Sequence, residues 1–138
     1  MGVKVLWVSR HRPLEAQISE LQEKLGDDVE IEILSGNIAS VEEVVRVARE
    51  IGAKYIVPVL PLSMVARLAE LQKSEGFTIL FAKMVAIASM KDMGEAVKLV
   101  SEDPSRRNTA AYSDGTVRVF EFVGFEKLVK VELVTEPF

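Results

Sequence analysis

The feature that most constrains this chain is an alternation repeated three times: a short β-branched run, then apolar residues at helical spacing, then a glycine. Val3 to Val8 is the first run, and Leu14, Ile18, Leu21 and Leu25 follow at helical period up to Gly26. Val29 to Leu34 opens the second unit. Ser40 and Glu43 there form a capping box ahead of Val41, Val44, Val45, Ala48 and Ile51, and Gly52 closes it. Tyr55 to Leu60 opens the third, in which Pro61 suits the first helical position and Val65, Leu68 and Leu71 make the stripe before Gly76. Phe77 to Met84 predicts a fourth strand. Ser89 with Asp92 predicts the cap of a fourth helix with Met93, Ala96, Val97 and Val100 on its buried face.

From Thr109 the period changes to two. Ser113-Asp114-Gly115 is a turn signal, and beyond it Val117, Val119 and Glu121 alternate with Arg118, Phe120 and Phe122, which predicts a hairpin. Leu128 to Thr135, with Val129, Val131 and Leu133 alternating with Lys130 and Glu132, predicts a last antiparallel strand.

Strands alternating with helices imply a parallel sheet with both faces covered, which suits the near-continuous apolar runs. The expected fold is therefore a single α/β domain over residues 1–138. Residues 1–100 would form a Rossmann-like core, a mainly parallel sheet flanked by helices, and residues 109–138 a C-terminal antiparallel β hairpin and strand extension. At 138 residues and 49% hydrophobic, the chain is long and apolar enough for one core.

Composition removes several chemistries. There is no cysteine, which excludes a disulfide frame, a thiolate nucleophile and a thiolate-held zinc, and the single histidine excludes any site that needs two. A formal charge of −4 argues against coating a long nucleic acid, where many cations must replace counterions. No apolar run reaches the length of a membrane span, so a soluble, cytoplasmic protein is expected. Absent cysteine, few amides and abundant Glu, Lys and Arg lean toward a thermophilic source. No metal and no cofactor is implied: neither a glycine-rich dinucleotide fingerprint nor a phosphate loop ending in Gly-Lys-Ser/Thr occurs.

Open parallel sheets bind ligands beyond the carboxyl ends of their strands. Three strand ends fall on that edge. The first carries Ser9, Arg10, His11 and Arg12, a concentrated cationic spot in an otherwise acidic chain and suited to phosphate; solvated arginines and a capping histidine are the plain alternative. The second carries Ser35-Gly36-Asn37, a tight turn in which Gly36 or Asn37 takes positive φ; the same geometry lets a ligand approach the backbone, and the turn alone also accounts for it. The third carries Leu60, Pro61 and Ser63, where a hydroxyl in the first helical turn can face a phosphate or simply cap the helix. Lys83 reads as an edge lysine, and Arg106 and Arg107 as a solvated loop. An Arg-His pair after a first strand also suggests a phosphohistidine phosphatase, but the glycine that follows in that motif and the second histidine are both missing.

Val8-Ser9-Arg10-His11-Arg12-Pro13, followed by an apolar helix and then by Val57-Pro58-Val59-Leu60-Pro61-Leu62, resembles the small CRISPR-associated proteins of the Csx group, the sixteenth in that series. Those open with a strand ending Thr-Arg-His-Pro and later carry a strand ending Leu-Pro before a helix. Here Ser9 stands for the threonine, Arg12 is inserted before the proline and Pro58 replaces a small residue. The family's later Arg-Gly segment has no counterpart, so the resemblance covers about the first half of the chain.

The resemblance implies a Rossmann-like fold related to cyclic-oligoadenylate sensors and a metal-independent ring nuclease activity that switches off antiviral defence. It places Ser9, Arg10, His11, Leu60 and Pro61 at the ligand-facing edge. In that chemistry a ribose 2′-hydroxyl attacks its own phosphodiester, so Arg10 or Arg12 would stabilise charge, His11 would assist proton transfer, and Ser9 and Ser63 would position oxygens. A two-fold ring ligand implies a homodimer. Two other readings stand beside it: a non-catalytic nucleotide or phosphate sensor using the same edge, and a structural module whose C-terminal hairpin adds strands to a partner or twin.

Overall fold

The computed structural model describes residues 2–138. Among the described residues the fold is mixed α/β, with four helices and six strands in the order β2-β1-β3-β4-β6-β5. The elements are β1 (Lys4–Val8), α1 (Glu15–Leu25), β2 (Glu30–Leu34), α2 (Val41–Ile51), β3 (Tyr55–Pro58), α3 (Leu62–Glu75), β4 (Thr78–Met90), α4 (Met93–Ser101), β5 (Arg107–Ala111) and β6 (Val117–Lys127). None of the helices is long and apolar enough to cross a membrane. Two compact units are interleaved along the chain: one runs through Arg12, Gly26–Phe81 and Lys127–Phe138, the other comprises Pro13–Leu25 and Ala82–Glu126.

In the first unit, β1 pairs in parallel with β2 and β3, and β3 with the start of β4. Strand β1 lies between β2 and β3, and Val5, Leu6, Trp7 and Val8 are all at most 2% exposed, so both of its faces are dry. That burial explains the unbroken apolar run, since alternation appears only where one face meets water. Strand β2, at the edge, does meet water and carries Glu30 and Glu32 there. One face of this sheet packs α2 and α3: Leu6, Val8, Ile56 and Ile79 meet Val41, Val44, Val45, Ala48 and Leu68. Ser40 caps α2 by accepting a hydrogen bond from the Glu43 amide at 3.3 Å. Gly52, at φ 73°, ends the helix in a left-handed conformation that a Cβ would strain.

The second unit holds α1, the later part of β4, α4 and the β5–β6 hairpin, whose antiparallel register pairs Thr109 with Val119. Its core gathers Ala96, Val117 and Val119 with Ala88, Met90, Leu99 and Val100. Gln17 is buried on α1, where it accepts from the Leu14 amide at 2.7 Å and so caps its own helix.

Several sequence expectations give way here. The fourth strand runs on to Met90 rather than Met84, because Val85-Ala86-Ile87-Ala88 continues the extended pattern, and Ser89 therefore lies inside it. Asp92 alone caps α4, accepting from the Gly94 amide at 2.8 Å. Met93 and Val97 are exposed, and the helix buries Ala96 beside Leu99 and Val100 instead. Pro61 sits at the N-cap of α3, one residue earlier than expected. Arg107 is no solvated loop residue: it lies in β5, where Nε donates to Glu121 at 2.9 Å and Nη1 to the Leu99 carbonyl at 2.8 Å. Nη1 also meets the Glu102 carboxylate at 3.3 Å, and Glu121 first, with Glu102 after it, outweighs burial and raises the pKa of the guanidinium. Arg106, by contrast, is exposed in the turn before β5, where it donates to the Phe122 carbonyl at 3.2 Å. The expected last strand, Leu128 to Thr135, is absent; β6 instead runs through Gly124 to Lys127, and the segment after it has no ladder partner.

Replacing Leu68, fully buried between α3 and the sheet, with Ala is expected to cost about 2–5 kcal/mol in urea unfolding. The hairpin turn makes a pH prediction. Asp114 accepts from the Thr116 hydroxyl at 2.6 Å and the Thr116 amide at 2.9 Å, which hold its carboxyl below the ordinary value of 3.8. A lowered folded-state pKa means the carboxylate supports the turn fully above the ordinary range, and that support is lost as pH falls through the lowered value. The Thr116 amide resonance should follow that titration, and Asp114→Asn should abolish it.

Candidate functional site

The carboxyl ends of β1, β2 and β3 all open on one side of the first unit, because the three strands are parallel. Between β1 and its neighbours the chain order reverses, β2 lying on one side and β3 on the other, and such a reversal leaves a crevice at the strand ends. A cavity of about 350 Å³ occupies this place. Val8 lines it from the end of β1, Ser9 and Arg10 from just beyond, Gly36, Asn37 and Ile38 from the loop after β2, Val59, Leu60 and Pro61 from the turn after β3, and Met64 from the first turn of α3.

Each strand end delivers its residues for a local reason. The Ser9 amide donates to the Leu34 carbonyl at 3.2 Å and the Val59 amide to the Val8 carbonyl at 2.8 Å, which carry the ladder one residue past the strands and fix where the loops leave. Ser9 is only 7% exposed, and its Oγ accepts from the His11 amide at 3.1 Å. That bond uses an acceptor site and leaves the hydroxyl hydrogen free to point elsewhere. Gly36 takes the turn with φ 98°, so the positive angle falls on the glycine and not on Asn37. A Cβ there would meet nothing within 4 Å, so the backbone angle, rather than crowding, demands glycine.

Arg10 is exposed, and its Nη2 donates to Asn37 Oδ1 at 2.5 Å, tying the β1 and β2 loops together across the cavity mouth. It is the one ionisable side chain in the lining, and no carboxylate is there to neutralise it. Helix α3 starts at the same place. Pro61 provides no side-chain cap, the first turn holds no acid, and only from Met64 onward do the amides donate back, to the Pro61 carbonyl at 3.0 and 3.1 Å. The Leu62 and Ser63 amides thus lie at the positive end of a helix with no anion supplied by the chain.

Of the residues expected from the sequence, Ser9, Arg10, Gly36, Asn37, Leu60 and Pro61 come together around one cavity. His11, Arg12, Ser35 and Ser63 are exposed and do not line it. Sequence reasoning missed Val8, Ile38, Val59 and Met64, which with Leu60 make the apolar part of the wall. Met64 was legible as the residue one turn into α3; Ile38 and Val59 carry no chemical signal. Lys83 lies elsewhere, paired with Glu126 at 3.2 Å. Among the described residues no group of three His, Asp or Glu side chains is arranged to hold a metal ion.

No family model, curated protein or solved structure matches this chain significantly. The chemistry of the cavity is therefore argued from its own lining. One guanidinium, one buried hydroxyl, one carboxamide and an apolar wall suit a ligand with an anionic group joined to a flat or apolar body. The Arg10–Asn37 bond makes a prediction. Asn37→Ala removes the acceptor without touching the core, and phosphate should then raise the melting temperature more for the variant than for the parent, because Arg10 no longer has to leave a partner.

Proposed function

We propose that the chain binds a phosphate-bearing nucleotide at the ends of β1, β2 and β3, and that its ligand is of the cyclic oligoadenylate class which the sequence resemblance implies. One observation carries the reading: the Arg10 guanidinium lies in a cavity with no carboxylate, beside the acid-free start of α3. A phosphate there meets a charge-assisted donor near the positive end of a helix whose first turn holds no acid. Ile38, Val59, Leu60 and Met64 offer the base or ribose an apolar wall. At about 350 Å³ the cavity suits one nucleotide unit of a ring, so a larger ring would need a second cavity from another copy.

The alternation of strand and helix through β4, with β1 between β2 and β3, supports reading residues 1–100 as Rossmann-like and the chain as a relative of the small CRISPR-associated Csx proteins. On that reading it works on a second messenger in the cytoplasm.

Cleavage of the ring is the catalytic form of the same proposal. A ribose hydroxyl that attacks its own phosphodiester needs in-line geometry and charge stabilisation, and no protein nucleophile. Arg10 supplies charge and Ser9 a donor. His11, the residue after Arg10, is held through its amide by Ser9 and is the candidate for proton transfer, although its side chain is outside the cavity lining. A sensor that binds without turnover needs Arg10 and Ser9 alone.

Calorimetry with cyclic tetra-adenylate, followed by chromatography of products in EDTA, tests both. Binding is expected, and Arg10→Ala should weaken it roughly 10- to 100-fold, the range for losing a hydrogen bond to a charged group. Linear products that disappear in His11→Ala identify a ring nuclease; binding without products identifies a sensor. Neither heat nor conversion would remove the nucleotide reading.

A further inference from the structure

The segment after β6 combines strand chemistry with no strand partner. Val129, Val131 and Leu133 alternate with Lys130 and Glu132, yet Val129 is 79%, Val131 37% and Leu133 92% exposed. Its start is held firmly. The Leu128 amide donates to the Ile79 carbonyl at 2.9 Å, and the Gln72 carboxamide donates to the Leu128 carbonyl at 2.9 Å. Beyond that clamp, Lys130 Nζ reaches Glu132 Oε1 at 3.4 Å, so these two side chains already share one side of the segment. An extended stretch then places Val129, Val131 and Leu133 together on the other side.

From this arrangement we infer that residues 129–133 are a dimerisation strand, which pairs antiparallel with the same residues of a second copy of this chain. The charge order selects both the partner and the register. With Val131 opposite Val131 on a two-fold axis, Lys130 of each copy faces Glu132 of the other, and Val129 faces Leu133. Sliding by one pair in one direction sets Lys130 against Lys130; sliding in the other sets Glu132 against Glu132. Odd offsets put charges onto the apolar face. Like charges directly opposite are destabilising and unlike ones favourable, so a single register satisfies every pair. The sequence Val-Lys-Val-Glu-Leu is thus complementary to itself under a two-fold axis, which is the condition for an isologous contact. Two strands alone are marginal in water, so the dimer should be concentration-dependent. The inference does not depend on the nucleotide reading.

Sedimentation of the full chain over a concentration series, with Lys130→Glu and Glu132→Lys variants, tests it. Both side chains are largely exposed, at 70% and 66%, so folding should be unaffected. The parent should show a monomer–dimer equilibrium, each reversal should weaken it roughly tenfold, and an equimolar mixture of the two variants should recover the parent's affinity, since each then meets its opposite charge. A parent that stays monomeric at every concentration overturns the inference. So does a dimer indifferent to both reversals, which would use another face, or a mixture that fails to recover.

Discussion

The dry environment of β1 sets the terms for everything around it. A strand buried on both faces favours apolar side chains, so Val5 to Val8 are hydrophobic and the polar groups Ser9 and Arg10 follow where the strand stops. Parallel pairing puts the ends of β2 and β3 at the same level, and the cavity follows from three strands ending together with the chain order reversing about the middle one. The polar residues need no separate device to bring them together; the sheet does it.

Much of the fold was legible because its signals are local and repeated. The three strand–helix units carry their own stops at Gly26, Gly52 and Gly76, and the hairpin carries Asp114-Gly115. The misreadings arose where one pattern permits two outcomes. Val85 to Ser89 is as compatible with the end of a strand as with its continuation, and only pairing decides. Met93 and Val97 have helical spacing with Ala96, but a short helix buries a narrow stripe, and the small Ala96 marks its centre. Arg107 looked solvated because its partners, Glu121 and the Leu99 carbonyl, come from elements distant in sequence.

The candidate site was legible to the extent that strand ends could be located. Ser9, Arg10, Gly36, Asn37, Leu60 and Pro61 were found by position, as the first residues beyond each strand. The same rule overreached to His11, Arg12, Ser35 and Ser63, because it cannot tell which way a loop turns once it leaves the sheet. Ser9 Oγ holds the His11 amide close to the strand end in the first loop, where Arg10 reaches the cavity and His11 and Arg12 stay exposed outside it.

The glutamates on β2 acquire a meaning beyond the edge they occupy. An unpaired parallel edge invites any extended stretch to join it, and successive additions of that kind, each head to tail, propagate without limit into fibres. Glu30 and Glu32 make that edge repulsive to the acidic chain that bears it. A self-complementary contact elsewhere closes after two copies and offers no free end. Charge on one strand and symmetry in another would together keep assembly finite.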